Sequence, residues 1–257
     1  YLRSDLGRKM FSTIAQGSTR YNLSKKEFNN IAIPLPPLPE QKAIAKVLSD
    51  IDELIESIEK LIHKKKQIKQ GAMQELLTGK NRLAGFSGKW EVKRLEDMCL
   101  KDGLVRGPFG GALKKEYFVD RGYKVYEQRN AIYQTVNIGE YYIDEKKFNE
   151  LKRFEVKAGD FIVSCSGTIG KIFQIPKKHE KGIINQALLK IRLDSTKVDN
   201  QFFYHYFSWD RFQAKILDNT QGGAMKNIVG MSVLKNITIP LPPLPEQKAI
   251  AQILSDM

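Results

Sequence analysis

One feature constrains this chain more than any other: a long segment occurs in it twice. Residues 31–51 read IAIPLPPLPEQKAIAKVLSDI and residues 237–257 read ITIPLPPLPEQKAIAQILSDM, matching at all but a few positions across an offset of 206 residues. Fainter pairs lie upstream: Gly17 with Gly223, Arg20 with Lys226, Phe28 with Leu234 and Asn30 with Asn236. Solenoid repeats run about 20–45 residues, so this period is far too long for one. It implies a duplicated domain with its connector. The chain then holds one full unit, flanked by the tail of the unit before and the head of the next, and two similar domains in a longer parent would sit in pseudo-twofold relation. The start at Tyr1, with no initiating Met and no leader pattern, fits a piece of something longer.

The connector can be read in detail. Ile31 to Ile33 suit a short strand closed by Pro34, and Pro36, Pro37 and Pro39 impose an extended, polyproline-like path. Pro39 also suits the first turn of a helix, where its missing N–H costs nothing, and Glu40 favours the helix dipole. From Glu40 to about Leu77 there is no Pro and the only Gly is Gly71; Thr78-Gly79 is a plausible stop. Apolar residues recur in heptad columns at Ile44, Ile51 and Ile58, and at Val47, Leu54, Leu61 and Ile68. A third column runs through Leu48, Ile55 and Ile62. Such a stripe suits a coiled-coil seam that also touches something else. The helix would be roughly 57 Å long at 1.5 Å per residue. A long core helix of a single domain is the alternative. Lys64, Lys65 and Lys66 read as a solvated face, and residues 40–80 carry a net charge of only +1.

The charge lies elsewhere. The chain has a net +13, and residues 81–239 hold 27 basic and 18 acidic side chains, a net +9. That balance points to a polyanionic partner, nucleic acid above all. This part reads as mixed α/β (α+β) with many short strands: Trp90 to Leu95, Lys124 to Gln128, Phe161 to Ser164, Lys171 to Ile175 and Ala187 to Leu193. A helix is predicted from Asp199 to about Leu217, with Phe202, Phe203, Tyr206, Phe212 and Ile216 facing a core.

Three loops combine glycines with basic, hydroxyl or amide side chains: Arg106 to Lys115, Ser164 to Lys171, and Gln221 to Asn227. Glycine lets a backbone approach a ligand closely, and the side chains suit phosphates and base edges, although ordinary tight turns use glycine too. The candidate DNA contacts are Arg106, Lys114, Lys115, Ser166, Thr168, Lys171, Gln221, Lys226 and Asn227. Gln128 and Arg129 join them, being residue types that read adenine and guanine bidentately.

No catalytic, metal or cofactor site is legible. A dinucleotide fingerprint and a phosphate loop are absent, Gly167 to Lys171 being too short for the latter, and no Asn/Asp-Pro-Pro-aromatic motif occurs. Glu91-Val92-Lys93 and Glu155-Val156-Lys157 could each be half of a metal-dependent nuclease site, but strand alternation generates that pattern often. His63, His179 and His205 are scattered. Cys99 and Cys165 have no ligand spacing and suit buried thiols in a reducing cytoplasm. No apolar run approaches the ~18 residues that a membrane span needs.

Taken together, the twice-occurring IPLPPLPEQKAIA, with GFSGKWEVKRLEDM, GPFGGALKK, GDFIVSCSGTIG and QGGAMKN, resembles the specificity subunit of Type I restriction-modification systems over essentially the whole chain. The resemblance implies the end of a first target-recognition domain at 1–38 and a conserved spacer helix at 39–80. A complete target-recognition domain at 81–239 and the start of a second conserved helix at 240–257 would follow. It also implies a non-catalytic subunit that reads half of a split double-stranded DNA site and works with methyltransferase and restriction subunits, needing no cofactor of its own. The exposed seam would allow a homodimer. A coiled-coil scaffold that binds no DNA is the rival reading.

Overall fold

The computed structural model describes residues 4–15, 22, 24–217 and 228–257. Gly17 and Arg20, and the third loop with Gln221, Lys226 and Asn227, lie outside the described residues. The chain divides into two compact units, Tyr1–His63 and Lys64–Met257, and the boundary falls inside its longest helix.

The first unit is helical. Helix α1 (Asp5–Ile14) is N-capped by the Ser4 hydroxyl and α2 (Lys25–Asn29) by that of Ser24; the rings of Phe11 and Phe28 stack at 6.5 Å. Residues 31–37 are irregular rather than the expected strand, because no strand pairs with them among the described residues. Helix α3 (Leu38–Leu76) then begins within two residues of its expected start. Its apolar columns stand in the open: Ile51, Leu54, Ile55, Ile58, Leu61 and Ile62 are all about half exposed.

The second unit opens on the last turns of α3, where Met73 and Leu77 are buried. Thr78 Oγ donates to the Gln74 carbonyl, and Gly79 takes a left-handed φ of +69°. An added Cβ there would press on the Trp90 ring, so glycine ends the helix for two reasons. Three sheets follow. Strand β1 (Glu91–Arg94) pairs antiparallel with the last strand, β11 (Thr238–Leu241). A four-stranded antiparallel sheet has the order β2–β10–β7–β8, built from β2 (Cys99–Arg106), β7 (Phe161–Ser164), β8 (Ile172–Gln174) and β10 (Leu188–Leu193). A five-stranded sheet runs β3–β5–β4–β9–β6, from β3 (Phe118–Val119), β4 (Tyr123–Tyr126), β5 (Tyr142–Ile143), β6 (Glu155–Val156) and β9 (Gly182–Ile184), with β4 and β9 parallel. The short helices are α4 (Gln128–Ile132), α5 (Glu145–Glu150), α6 (Asn200–Ser208), α7 (Asp210–Leu217), α8 (Met231–Asn236) and α9 (Leu244–Asp256).

Strand β7 is buried on both faces. Phe161 and Val163 enter the main core with Phe202, Phe203, Phe207 and Phe212, whereas Ile162 enters a second core with Tyr126, Ile184 and Leu188. A strand covered on both sides reads as an unbroken apolar run, which is what FIVS is. Buried Lys190 of β10 ties the sheets together, its Nζ donating to the carbonyls of Arg153 and Glu155, while beside it Arg192 grips the buried Asp160 through two bonds of 2.7 Å within the four-stranded sheet. Burial brings the Lys190 ammonium down to a pKa of about 8.

Two expectations are corrected here. Gln128 opens a helix instead of ending a strand: Asn130 Oδ1 accepts the Glu127 N–H at 2.8 Å and starts α4. The helix expected over 199–217 is two, broken at Trp209, whose backbone is extended (φ −72°, ψ 132°). In one straight helix Phe202, Phe203, Phe207, Phe212 and Ile216 would spread over more than half of the circumference at 3.6 residues per turn. The break turns all of them into one core.

Candidate nucleic-acid interface

The first two loops singled out by composition are far apart in sequence, yet the strands bring them together at one end of the four-stranded sheet. Arg106 ends β2 opposite Leu189 of β10. The next N–H, of Gly107, donates to the Leu188 carbonyl at 2.9 Å, and a Cβ on Gly107 would collide with the Asn185 carbonyl oxygen. The first loop can leave the sheet here only because this residue has no side chain. Pro108 and the exposed Phe109 follow, and the Arg106 guanidinium lies 5.7 Å from the Phe109 ring centroid.

The second loop leaves β7 beside it. Cys165 N–H donates to the Ala187 carbonyl at 2.9 Å. The Ser164 N–H bonds the Lys171 carbonyl and the Lys171 N–H bonds Ser164 Oγ, which pinches the loop shut and leaves Thr168 and Lys171 on the surface and Ser166 half-buried. Beyond the third loop, Ile228 donates its N–H to the Cys165 carbonyl at 3.3 Å, so the chain returns beside the second loop. Helix α4, with Gln128 at its start and Arg129 exposed, lies against β7 and β8.

The candidates do not all stand alike. Lys114 sits 3.7 Å from Glu116, an exposed pair that binding can break at little cost, and Lys115 is exposed. Among the described residues, the buried side-chain polar atoms without a hydrogen-bond partner are Arg106 Nε and Gln128 Oε1. Leaving such groups unmet is costly, so both atoms carry unused hydrogen-bonding capacity. Arg106 borders a cleft of about 300 Å³ floored by Leu104, Phe154 and Met231, with Arg153 and Lys235 at its rim. Those two cations have carboxylates nearby, Asp102 at 3.7 Å and Glu96 at 2.7 Å; Arg106 has none among the described residues.

Gln186, which the sequence does not single out, also stands at this junction. Asn185 and Gln186 link β9 to β10 at the junction, with the Asn185 N–H on the Tyr126 carbonyl and its Oδ1 accepting the Ala187 N–H, and the Gln186 side chain is exposed there. The polar pair between two apolar runs was the available signal. The two thiols are held neutral, burial pushing Cys99 and Cys165 each up to about 12. Glu91 and Lys93, one of the candidate nuclease triplets, pair with each other at 2.7 Å on β1. No cluster of three or more His, Cys, Asp or Glu able to hold a metal ion forms among the described residues, and no helix among them is long and apolar enough to cross a membrane.

Comparison with known proteins gives the family and the fold. The Type I restriction modification DNA specificity domain family matches residues 1–70 and 87–257. The Type I restriction enzyme MjaVIII specificity subunit of Methanocaldococcus jannaschii is 33% identical over 254 residues, covering 92% of this chain and 57% of that protein. The putative MjaX specificity subunit of the same organism is 30% identical, over 98% and 59%. Among solved structures, the HsdS subunit from Thermoanaerobacter tengcongensis superposes with a TM-score of 0.55 at 17% identity, covering 96% of this chain and 59% of that one. A chain of a type I R-M system complex superposes at 0.64 with 18% identity, over 99% and 60%. The chain thus spans less than two thirds of each of these relatives. With the family model covering nearly all of its length, this chain belongs to the Type I restriction modification DNA specificity domain family.

Proposed function

We propose that this chain is the DNA-reading part of a Type I restriction-modification enzyme, with residues 81–239 acting as a target-recognition domain for one half of a bipartite duplex site. The observation that carries the reading is the meeting, at one end of one sheet, of the first two glycine-rich loops beside Arg106, whose Nε is, like Gln128 Oε1 on the neighbouring α4, buried and unpartnered. Arginine and glutamine are the side chains that read guanine and adenine bidentately, and the surrounding lysines suit phosphates. Gln186 joins the candidates. The net +9 of residues 81–239 favours this reading over a scaffold that binds no DNA.

Methylation and cleavage belong, on this reading, to methyltransferase and restriction subunits in the cytoplasm. The chain itself does no catalysis and needs no cofactor. The spacer helix offers its open columns, from Ile44, Val47 and Leu48 to Ile68, to an antiparallel helix and to a methyltransferase subunit. In the chain alone, the same face would pair with a second copy.

The test is duplex binding across a range of salt concentrations. Replacing Lys114, Lys171 and Lys226 together by alanine should flatten the dependence of log K on log salt by nearly three units, at about 0.9 per phosphate contact. Arg106→Ala or Gln128→Ala should instead cost about 1–3 kcal/mol of discrimination between sequences and change the slope by one unit at most. An unchanged slope would place the phosphate contacts elsewhere. Binding that ignores salt in the wild type would favour the scaffold.

A further inference from the structure

Every other phenylalanine of the second unit is buried or half-buried, and Phe109 is 65% exposed. The chain around it is not slack. On one side Gly107 is bonded to the Leu188 carbonyl and Pro108 is buried. On the other a short 3-10 helix, Gly110–Leu113, brings Ala112 and Leu113 against the core of Val125, Ile143 and Phe148. Phe109 itself is extended (φ −101°, ψ 165°), a conformation open to any residue, so the ring is held out without backbone strain.

A place to bury the ring lies next to it. Phe109 borders the cleft of about 300 Å³ floored by Leu104, Phe154 and Met231, yet most of its surface stays in water. Burying a phenylalanine side chain is worth about 1.5–3 kcal/mol, which the fold forgoes here. The ring's other neighbours are cations. The Arg106 guanidinium is 5.7 Å from its centroid, and Arg153 and Lys235 stand at the rim of the cleft. Those two pair with Asp102 and Glu96 in exposed ion pairs, which a phosphate can displace at little cost. A lone exposed apolar side chain is ordinary on any protein surface. An outstretched ring among cations is matched to a polyanion that carries flat apolar faces between its charges, and duplex DNA is built that way.

We propose that Phe109 is a wedge that enters a base step of the duplex while Arg153 and Lys235 take the flanking phosphates. This rests on the reading that this end of the domain binds DNA, and adds to it a contact that senses stacking and not base edges. An apolar side chain inserted between base pairs partly unstacks them and kinks the duplex. Sequence is then felt at that step through how readily it opens, pyrimidine–purine steps opening most easily. The hydrogen-bonding side chains beside it, Arg106 and Gln128, read neighbouring positions.

The test uses the full chain with a short paired duplex and the same duplex carrying one central mismatch. Unstacking costs least at a mismatch, so the wild type should prefer the mismatched duplex. The preference should be about tenfold, the order of one aromatic–base stack. Phe109→Ala should lose it, with the melting point and the salt slope both unchanged, because neither the core nor a charge is touched. Phe109→Trp should keep it, and the new indole should be quenched as it stacks on the bases. Trp90 is half-buried and Trp209 buried, so the wild type titrated in the same way is the control. Salt-dependent binding without a mismatch preference, an unaltered preference in Phe109→Ala, or an indole that is not quenched would overturn the wedge and leave the DNA reading standing. A lower melting point for Phe109→Ala would assign the ring to the fold and overturn the wedge as well. A wild type that binds neither duplex would overturn both.

Discussion

Residues 31–51 and 237–257 have nearly one sequence and two structures. In the second copy Ile239 and Leu241 are in a strand, and Glu246, Ile250 and Leu254 are buried. In the first copy the equivalent residues are irregular up to Pro37 and exposed thereafter. What survives the change of surroundings is local. Both copies start a helix at the leucine of LPEQ, Leu38 and Leu244, and in both a glutamine amide reaches back five residues to a proline carbonyl, Gln41 to Pro36 at 2.7 Å and Gln247 to Pro242 at 2.8 Å. The prolines around that carbonyl have no N–H to offer, so a side chain meets it. The strand and the burial are tertiary: the strand needs β1 beside it, and the burial needs α6 beneath.

The largest contrast is expected from leucine truncation. Leu254→Ala should cost about 2–5 kcal/mol, the usual range for a fully buried leucine. Leu48→Ala, at the equivalent open position, should stay within about 1 kcal/mol. Denaturation followed by tryptophan fluorescence reads the second unit directly. Equal effects from the two substitutions would mean that the copies are not in different environments in solution.

A smaller contrast is set by pH. His205 of α6 faces the second copy, its Nε2 3.0 Å from Ser255 Oγ, and has no counterpart beside Ser49 among the described residues. Burial, and after it the nearby Lys69 ammonium, lowers His205 from 6.5 to about 4; the Ala251 carbonyl and Asp199 act the other way. Above pH 6.5 the ring is neutral in both folded and unfolded chains. As pH falls below 6.5 the unfolded chain takes up the proton first, so stability present at neutral pH is lost. The loss should be about 2 kcal/mol between pH 7 and 5, approaching about 3 near pH 4. His205→Gln should remove most of that slope between pH 6.5 and 5, where few carboxylates titrate. A slope that survives the substitution would assign the acid sensitivity to other groups.

The same division explains what could be read from the sequence alone. The repeat, the course of α3, its stop at Gly79, strand β7 and the phosphate-friendly loops are carried by residues close together in the chain. The Arg82–Glu246–Trp90 clamp joins positions more than 150 residues apart, and nothing local at Arg82 announces it. The break at Trp209 follows from how many aromatic rings one core must receive. Gln128 looked like the end of a strand because the apolar run YKVY precedes it; the cap from Asn130, whose amide is also bonded to the carbonyls of Thr135 and Ile138, decides for a helix. At the candidate DNA site, composition picked out the loops but not their meeting, since ladder register and the pairing of Gly107 with Leu188 and Cys165 with Ala187 create it.

The smallest effect tests the part that both copies share. If the glutamine-to-proline bond is what turns the chain into the helix, it should matter even where nothing else packs. In the open copy Gln41 makes that one side-chain bond, while Gln247 makes two more, to the Asp199 N–H and the Lys197 carbonyl. Gln41→Ala should therefore cost about 1 kcal/mol locally, the net value of one partly buried hydrogen bond. That corresponds to roughly fivefold faster amide exchange in the first turns of α3, with no change beyond them and none in the tryptophan-reported melting. The exchange of Gln41, Lys42 and Ala43 amides, followed by mass spectrometry of peptides from this region, measures it. Exchange as slow as in the wild type would show that proline geometry alone makes the turn. The shared sequence at this position would then be kept for docking, as in the second copy, and not for starting the helix.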